Sequence, residues 1–386
     1  MSADGEYPSP EAVQTVATVG TGVIGAGWAA HFLRMGYDVL AWDPGSGAAG
    51  RLAVLVERAW PVLERLGLHP GASPDRLRFA SSLAGATADA EFVQESAPEV
   101  LDVKVALLAE LDAVTPRDVV IGSSTSGFMM SDMAAQTKAP GRFVVGHPFN
   151  PPYLIPLVEV VRGRCTDDAA MTWAEMFYTR SGKVCLTMDH ELPGFVGNRL
   201  QEALWREALH MIDSGQATVQ QIDDSITYGP GLRWALMGPM LTFHLAGGQG
   251  GMAHMLDHFG PALLQPWTRL AAPELTPRLR DLVVAGVSES VGDVTVQELE
   301  RRRDDFLADL LLLIEKHRRA LFGRPAAHAG SAATGRVSRP RRELLSRGRG
   351  SPVRCQELTR AASARSTASP SMRAITWPTQ LCTPVP

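Results

Sequence analysis

The spacing of apolar positions changes character twice along this chain. From residue 14, short β-branched runs alternate with longer stretches of helical spacing. QTVATVG (residues 14–20) and YDVLAWD (37–43) read as strands, and later apolar runs end near AEFVQES, VVIGSST and RFVVGHP. Between them lie segments such as VLDVKVALLAELDAV, whose apolar residues recur three and four apart. This alternation predicts an α/β fold, a Rossmann-type parallel sheet covered on both faces, over residues 1–192. Beyond Leu192 the strand pattern stops. GFVGNRLQEALWREALHMIDSG sets Phe195, Leu200, Leu204, Ala208 and Met211 or Ile212 at helical spacing. TVQELERRRDDFLADLLLLIEKHRRALF carries a wide apolar face of Phe306, Leu307, Leu310, Leu311, Leu313 and Ile314. An all-helical second domain over 193–322 follows, with enough apolar surface to supply a dimer interface. After Phe322 the period vanishes, and Arg, Ser, Ala, Pro and Gly fill residues 323–386. Such a composition buries too little apolar area to offset its ordering entropy, so this tail is expected to be disordered.

Composition narrows the partners. A chain of 386 residues, 45% hydrophobic and 20% charged, is long enough for two cores. The net charge of −4 is uneven: from Arg324 onward eleven arginines face two glutamates, so the remainder carries about −13. An acidic main body argues against nucleic acid as the partner, because phosphate binding needs a positive surface. MSADGEYPSPEAVQ has neither a basic start nor an apolar core, and no run of about 18 apolar residues occurs. The chain reads as soluble and cytoplasmic, with no membrane partner. Cys165, Cys185, Cys355 and Cys382 are widely spaced without a CxxC pattern, so free thiols are expected. His254 and His258 are four apart, but HMLDH lacks the glutamate of zinc proteases and no third ligand is evident, so no metal site is expected.

The chemistry begins where the first strand runs into GTGVIGAGWAA. Gly20, Gly22 and Gly25 stand in GxGxxG order, with Thr21, Val23 and Ile24 between them. A tight turn, the approach of backbone to a pyrophosphate and the packing of helix on strand leave no room for side chains at those three places. The helix that opens there turns free N–H groups towards the phosphates. Asp43 follows 23 residues after Gly20, at the end of the second strand. A carboxylate there accepts both ribose hydroxyls and repels a 2′-phosphate, so NAD is the expected cofactor.

GxGxxG with Asp43, then ESAPE with Lys104, SSTS, HPFNP, LVEVV and GFVGNRL resemble, in order and spacing, the 3-hydroxyacyl-CoA dehydrogenase family. EALWREALHMI, GLRWALMGP, AGGQGGMAHMLDHFGPAL, PWT and ELERRRDD extend the likeness to about residue 318 and point, within that family, to the branch that oxidises L-carnitine. The resemblance implies NAD-dependent oxidation of a secondary alcohol by a homodimer. Such a reaction needs a base for the hydroxyl proton beside the nicotinamide, and an imidazole suits this. His147 is then the base. Glu159, twelve residues on and brought back by the adjacent strand, fixes its tautomer and stabilises the imidazolium. By the same matching, Ser126 and Asn198 hold the substrate oxygen and shape the nicotinamide pocket. Glu99 and Lys104 fall on the cofactor side, although their charges are also what plain surface shows, and Asn150 flanks the base.

Carnitine carries a trimethylammonium at one end and a carboxylate at the other. The first calls for aromatic faces, with Phe149, Tyr153, Trp205 and Trp234 as candidates; the second calls for a guanidinium, with Arg199, Arg206 and Arg233 available. Two other readings stay open. An L-gulonate 3-dehydrogenase shares the HPxNP turn and NPPY at 150–153, and a non-catalytic NAD-binding structural protein shares the fold.

Overall fold

The computed structural model describes residues 7–259, 276–291 and 293–322, together with 268 and 274. All of them fall in one compact unit, residues 1–333. The 323–386 tail, with Cys355 and Cys382, and the PWT segment's Pro266 and Trp267 lie outside the described residues.

The first half of the chain alternates strand and helix. In chain order it runs β1 (Thr15–Val19), α1 (Val23–Arg34), β2 (Asp38–Trp42), α2 (Ala48–Leu66), β3 (Leu77–Phe79), α3 (Leu83–Thr87), β4 (Phe92–Glu95), α4 (Leu101–Val114), β5 (Val120–Ser123), α5 (Met130–Met133), β6 (Phe143–Pro148), β7 (Leu157–Arg162), α6 (Asp168–Arg180) and β8 (Val184–Met188). The eight strands form one sheet in the order β3-β2-β1-β4-β5-β6-β7-β8. Strand order reverses between β1 and β4, and the crevice beyond the carboxyl ends of those strands is where this architecture takes a ligand.

Both faces are covered. Trp28, Phe32, Phe92, Phe177 and Tyr178 build one core between the sheet, α1 and α6. Leu83, Leu108, Leu111, Met133 and Phe143 build the other beneath α3, α4 and α5. The sheet is parallel from β3 to β6, but β7 runs antiparallel to β6 and β8 follows β7. The reason is length. Only residues 149–156 join β6 to β7, whereas a parallel crossover needs a dozen residues or more.

From Gly197 the described residues form helices and their connections: α7 (Gly197–Asp213), α8 (Val219–Thr227), α9 (Pro230–Ala246), α10 (Gly251–Phe259), α11 (Pro277–Val291) and α12 (Val296–Phe322). Helix α9 breaks at Gly238, whose φ of 71° no helix interior adopts, just before Pro239. The apolar stripe on α7 is mostly not buried. Leu200 is 61% exposed, and Leu204 and Trp205 are exposed as well. Helix α12 divides its apolar face, turning Leu307 and Leu311 inward while Phe306 and Leu313 stay exposed.

Candidate active site

The glycine loop separates into two kinds of glycine. Gly20 has φ +83°, and a Cβ there would lie 2.7 Å from the Ser96 carbonyl; a Cβ on Gly25 would overlap the Gly20 carbonyl oxygen. Those two are demanded by the protein's own packing. Gly22 is different, because a Cβ there meets nothing within 4 Å. Its backbone is ordinary, with φ −64°. It sits at the N-cap of α1, where no side chain caps the free N–H groups and no acidic residue occupies the first turn. An uncapped helix start beside open space is what a pyrophosphate requires. Thr21 N–H donates to Asp43 Oδ2 at 2.8 Å and Gly45 N–H to Oδ1 at 2.8 Å. Asp43 therefore braces the loop against the end of β2, at the mouth of the crevice. Val23 is exposed there, while Ile24 packs into the core beneath. These residues fit NAD.

His147 and Glu159 are directly opposed in the antiparallel β6–β7 pair, so their side chains leave the same face. His147 Nδ1 lies 2.8 Å from Glu159 Oε2. The imidazole is 6% exposed, and its ring packs beside Phe149 and Phe195 at centroid distances of 5.1 and 5.4 Å. Glu159 is fully buried, and its second oxygen, Oε1, accepts the backbone N–H groups of Val196 and Gly197, both at 2.9 Å. Those are the first donors of α7. One carboxylate thus orients the imidazole and caps a helix start. Burial alone would raise its pKa, but the His147 hydrogen bond and the two backbone donors outweigh burial and hold it below the ordinary value. The chain reaches this arrangement through a sharp turn at Gly194 and Phe195, both with positive φ (69° and 52°).

Ser126 and Asn198 meet at the same end of the sheet. Asn198 Nδ2 donates to the Ser126 carbonyl at 2.8 Å. Glu99 Oε1 accepts from Thr125 Oγ1 at 2.7 Å, Ser126 N–H at 2.8 Å and Ser126 Oγ at 3.1 Å. Desolvation would raise the Glu99 pKa, yet these bonds and the Lys104 ammonium bring it below the ordinary value. Lys104 is not a surface charge. It is 1% exposed, with Nζ 2.9 Å from Glu95 Oε1, 3.2 Å from the Ala97 carbonyl and 3.5 Å from Glu99 Oε2. Glu95, also buried, accepts from Ser123 Oγ as well. A burial this deep is tolerable because each charge is paired and hydrogen-bonded. Lys104 therefore reaches the crevice only through Glu99. Glu95 was missed by pattern reading; the signal was an acid closing an apolar strand run, AEFVQES, nine residues before a lysine.

Other candidates scatter. Tyr153 does not face the crevice: its ring packs against α2 and α12, and its hydroxyl donates to Asp304. Asn150 is exposed at the tip of the β6–β7 turn. Phe149 stays in the site, against His147 and so close to Gly197 that a Cβ there would strike its ring. Asn198, Arg199, Glu202, Trp205 and Arg206 line an open groove of about 1140 Å³ between α7 and α8. Arg206 pairs with Glu202 at 2.9 Å. Trp234 and Arg233 lie on α9, half-buried and exposed. The rings of His254 and His258 stack at 5.6 Å, and among the described residues no cluster of three or more His, Cys, Asp or Glu side chains suits a metal ion.

Residues 15–191 match the description 3-hydroxyacyl-CoA dehydrogenase, NAD binding domain, and residues 194–289 match the C-terminal domain of the same enzymes. The L-carnitine dehydrogenase of Streptomyces griseus is 64% identical over 303 residues, spanning 78% of this chain and 90% of the relative. The chain belongs to the 3-hydroxyacyl-CoA dehydrogenase family. Another member, the L-carnitine dehydrogenase of Pseudomonas putida, is 51% identical over 299 residues, 78% of this chain and 93% of the relative. Among solved structures, a 5-formyl-3-hydroxy-2-methylpyridine 4-carboxylic acid 5-dehydrogenase, an NAD+ dependent dismutase, superposes with a TM-score of 0.65. It is 26% identical and covers 81% of this chain and 99% of its own. The (S)-3-hydroxybutyryl-CoA dehydrogenase of Ralstonia eutropha gives a TM-score of 0.53 at 27% identity, over 71% and 95%. As a member of this family the chain has a Rossmann NAD-binding domain followed by a helical C-terminal domain, and NAD is its cofactor.

Proposed function

We propose that this chain oxidises the secondary alcohol of L-carnitine to 3-dehydrocarnitine, with His147 taking the hydroxyl proton. The observation that carries the reading is the bond between His147 Nδ1 and Glu159 Oε2. Glu159 has a depressed pKa and is ionised at neutral pH, so it can only accept. The proton of the neutral imidazole therefore sits on Nδ1, and Nε2 presents its lone pair. Nε2 makes no hydrogen bond to a described residue and is the atom that receives the proton. Glu159 then steadies the imidazolium at close range. NAD, when bound, supplies the hydride acceptor. Ser126, whose hydroxyl donates to Glu99 Oε1, and Asn198, whose Nδ2 donates to the Ser126 carbonyl, orient the alcohol. Gly20, Thr21, Gly22, Val23, Ile24, Gly25 and Asp43 hold the dinucleotide. Glu99, set by Lys104, and Asn150 border its nicotinamide end.

The substrate assignment draws on the L-carnitine dehydrogenases at 64% and 51% identity. Phe149 and Trp205 offer aromatic faces for the trimethylammonium, and Arg199 or Arg206 a guanidinium for the carboxylate. With Tyr153 committed to Asp304, NPPY does not favour a polyhydroxy acid. We divide the chain at 192/193. We read the working form as a cytoplasmic homodimer, its dimer contact drawn from Leu200, Leu204 and Leu232, which leave an exposed apolar surface on the helical part. No described helix is long and apolar enough to cross a membrane. A panel of L-carnitine, L-gulonate and a short 3-hydroxyacyl-CoA, scored by NADH absorbance, tests the assignment. The highest kcat/KM is expected with L-carnitine; preference for gulonate overturns the substrate and spares the fold.

A further inference from the structure

Residues 149–156, between β6 and β7, have no regular structure, and Pro151, Pro152 and Pro156 donate no backbone hydrogen bond. Three other parts of the chain hold this turn. Gly27 of α1 approaches Pro152 so closely that a Cβ would lie 2.6 Å from the ring. The buried Lys183 amino group donates to the Pro152 carbonyl and to that of Ile155, the latter at 3.2 Å, and lies 4.9 Å from the centre of the Trp28 ring. The third grip comes from far along the chain. Tyr153 donates its hydroxyl to Asp304 Oδ2 on α12, while Arg303 holds Oδ1 in its fork at 2.8 and 2.9 Å. The next residue, Leu154, is buried with Val62 of α2 and Ala308 of α12.

Helix α12 lies wholly beyond the residues that match either family description, which end at 289. Its ELERRRDD segment has no part in the site described above. We propose that Asp304 is a positioning residue for the reaction: through Tyr153 it fixes the 149–156 turn and so the placement of Phe149 and His147 at the crevice. The proposal rests on His147 as the proton acceptor. A hydrogen bond to an ionised acceptor is about twice as strong as a neutral one, and this one ends three residues beyond the Asn150 tip. When it is cut, the turn loses its only described polar tie to α12, and His147 and Phe149 leave their reactive placement.

The test compares Asp304→Ala, Tyr153→Phe and Asp304→Asn with the parent, and with Asp309→Ala as a control on the same helix. Asp309 pairs with Arg65 of α2, away from the turn. Hydrogen–deuterium exchange of the 149–156 segment needs no turnover, and kcat is normalised to NAD-binding sites so that lost folding does not mimic lost positioning. The alcohol is whichever of the panel the parent oxidises, so failure of the carnitine assignment is read separately. Asp304→Ala and Tyr153→Phe are expected to speed exchange in the turn and to lower kcat about 10- to 100-fold, with NAD affinity unchanged. Asp304→Asn keeps an acceptor and recovers most of the loss, and Asp309→Ala matches the parent. Parental exchange in both cutting variants overturns the proposal. Faster exchange with parental kcat overturns it too, because the turn would then move without consequence for the chemistry.

Discussion

Glu159 is asked to do two things at once, and each can be measured separately. Its Oε2 meets the imidazole and its Oε1 caps α7. Glu159→Gln puts an amide N–H₂ where a donor already points. It is expected to lower kcat about 10²- to 10⁴-fold, the range a positioned acid–base supplies, and to cost about 1–3 kcal/mol of stability for the donor left unpaired. The stability loss depends on pH with a definite sign. The carboxyl's folded pKa lies below its unfolded one, so its contribution is complete above the unfolded value, about 4.3, and is lost as pH falls through the folded value. The Tm gap between parent and Glu159→Gln, followed by calorimetry, should be widest near neutrality, begin to narrow below about pH 4.3 and close only once pH has fallen through the folded pKa. A gap that widened towards acid would contradict the cap.

At the scale of elements, the loop between β1 and α1 gives a paired prediction. Gly25→Ala drives a methyl into the Gly20 carbonyl and should lower Tm sharply. Gly22→Ala meets open space and an ordinary φ, so it should leave Tm nearly unchanged while raising the Kd for NAD, read by fluorescence titration. If Gly22→Ala bound NAD like the parent, the pyrophosphate would not lie over this helix start. Much of this layer could be read from residue spacing: a β-branched run ending at Gly20 marked β1, a second apolar run marked β2, and Asp43 at its end sat where a dinucleotide loop needs it. Other features could not be read that way. The reversal of β7 follows from a connection too short for a crossover, and residue spacing does not reveal direction. The depth of Lys104 depends on Glu95, an ion pair that forms only when β4 and α4 pack. Tyr153 was a candidate for the trimethylammonium because it is an aromatic residue six positions after His147, and nearness in sequence does not say where a ring points; α12, 151 residues away, decides where its hydroxyl points.

For the whole molecule, the exposed apolar residues of α7 set the expectation. Leu200 and Leu204 remain largely open to solvent in the single chain, which favours a second copy covering them. Sedimentation should give twice the 41.5 kDa chain mass, and Leu200→Asp with Leu204→Asp should shift the population to the single chain. A parent that sediments at the mass of one chain would remove the homodimer. Fold class and cofactor were readable at this scale because they rest on contiguous motifs, whereas the groove between α7 and α8 is assembled from helices whose relative placement no local spacing specifies.

The central claim is that His147 accepts the alcohol proton. It is tested by NADH formation from L-carnitine in the parent and in His147→Ala, with the NAD dissociation constant measured for both. The parent should form NADH and the variant should lose about 10²- to 10⁴-fold in kcat with its NAD affinity intact; equal NADH formation by the two proteins would contradict the claim.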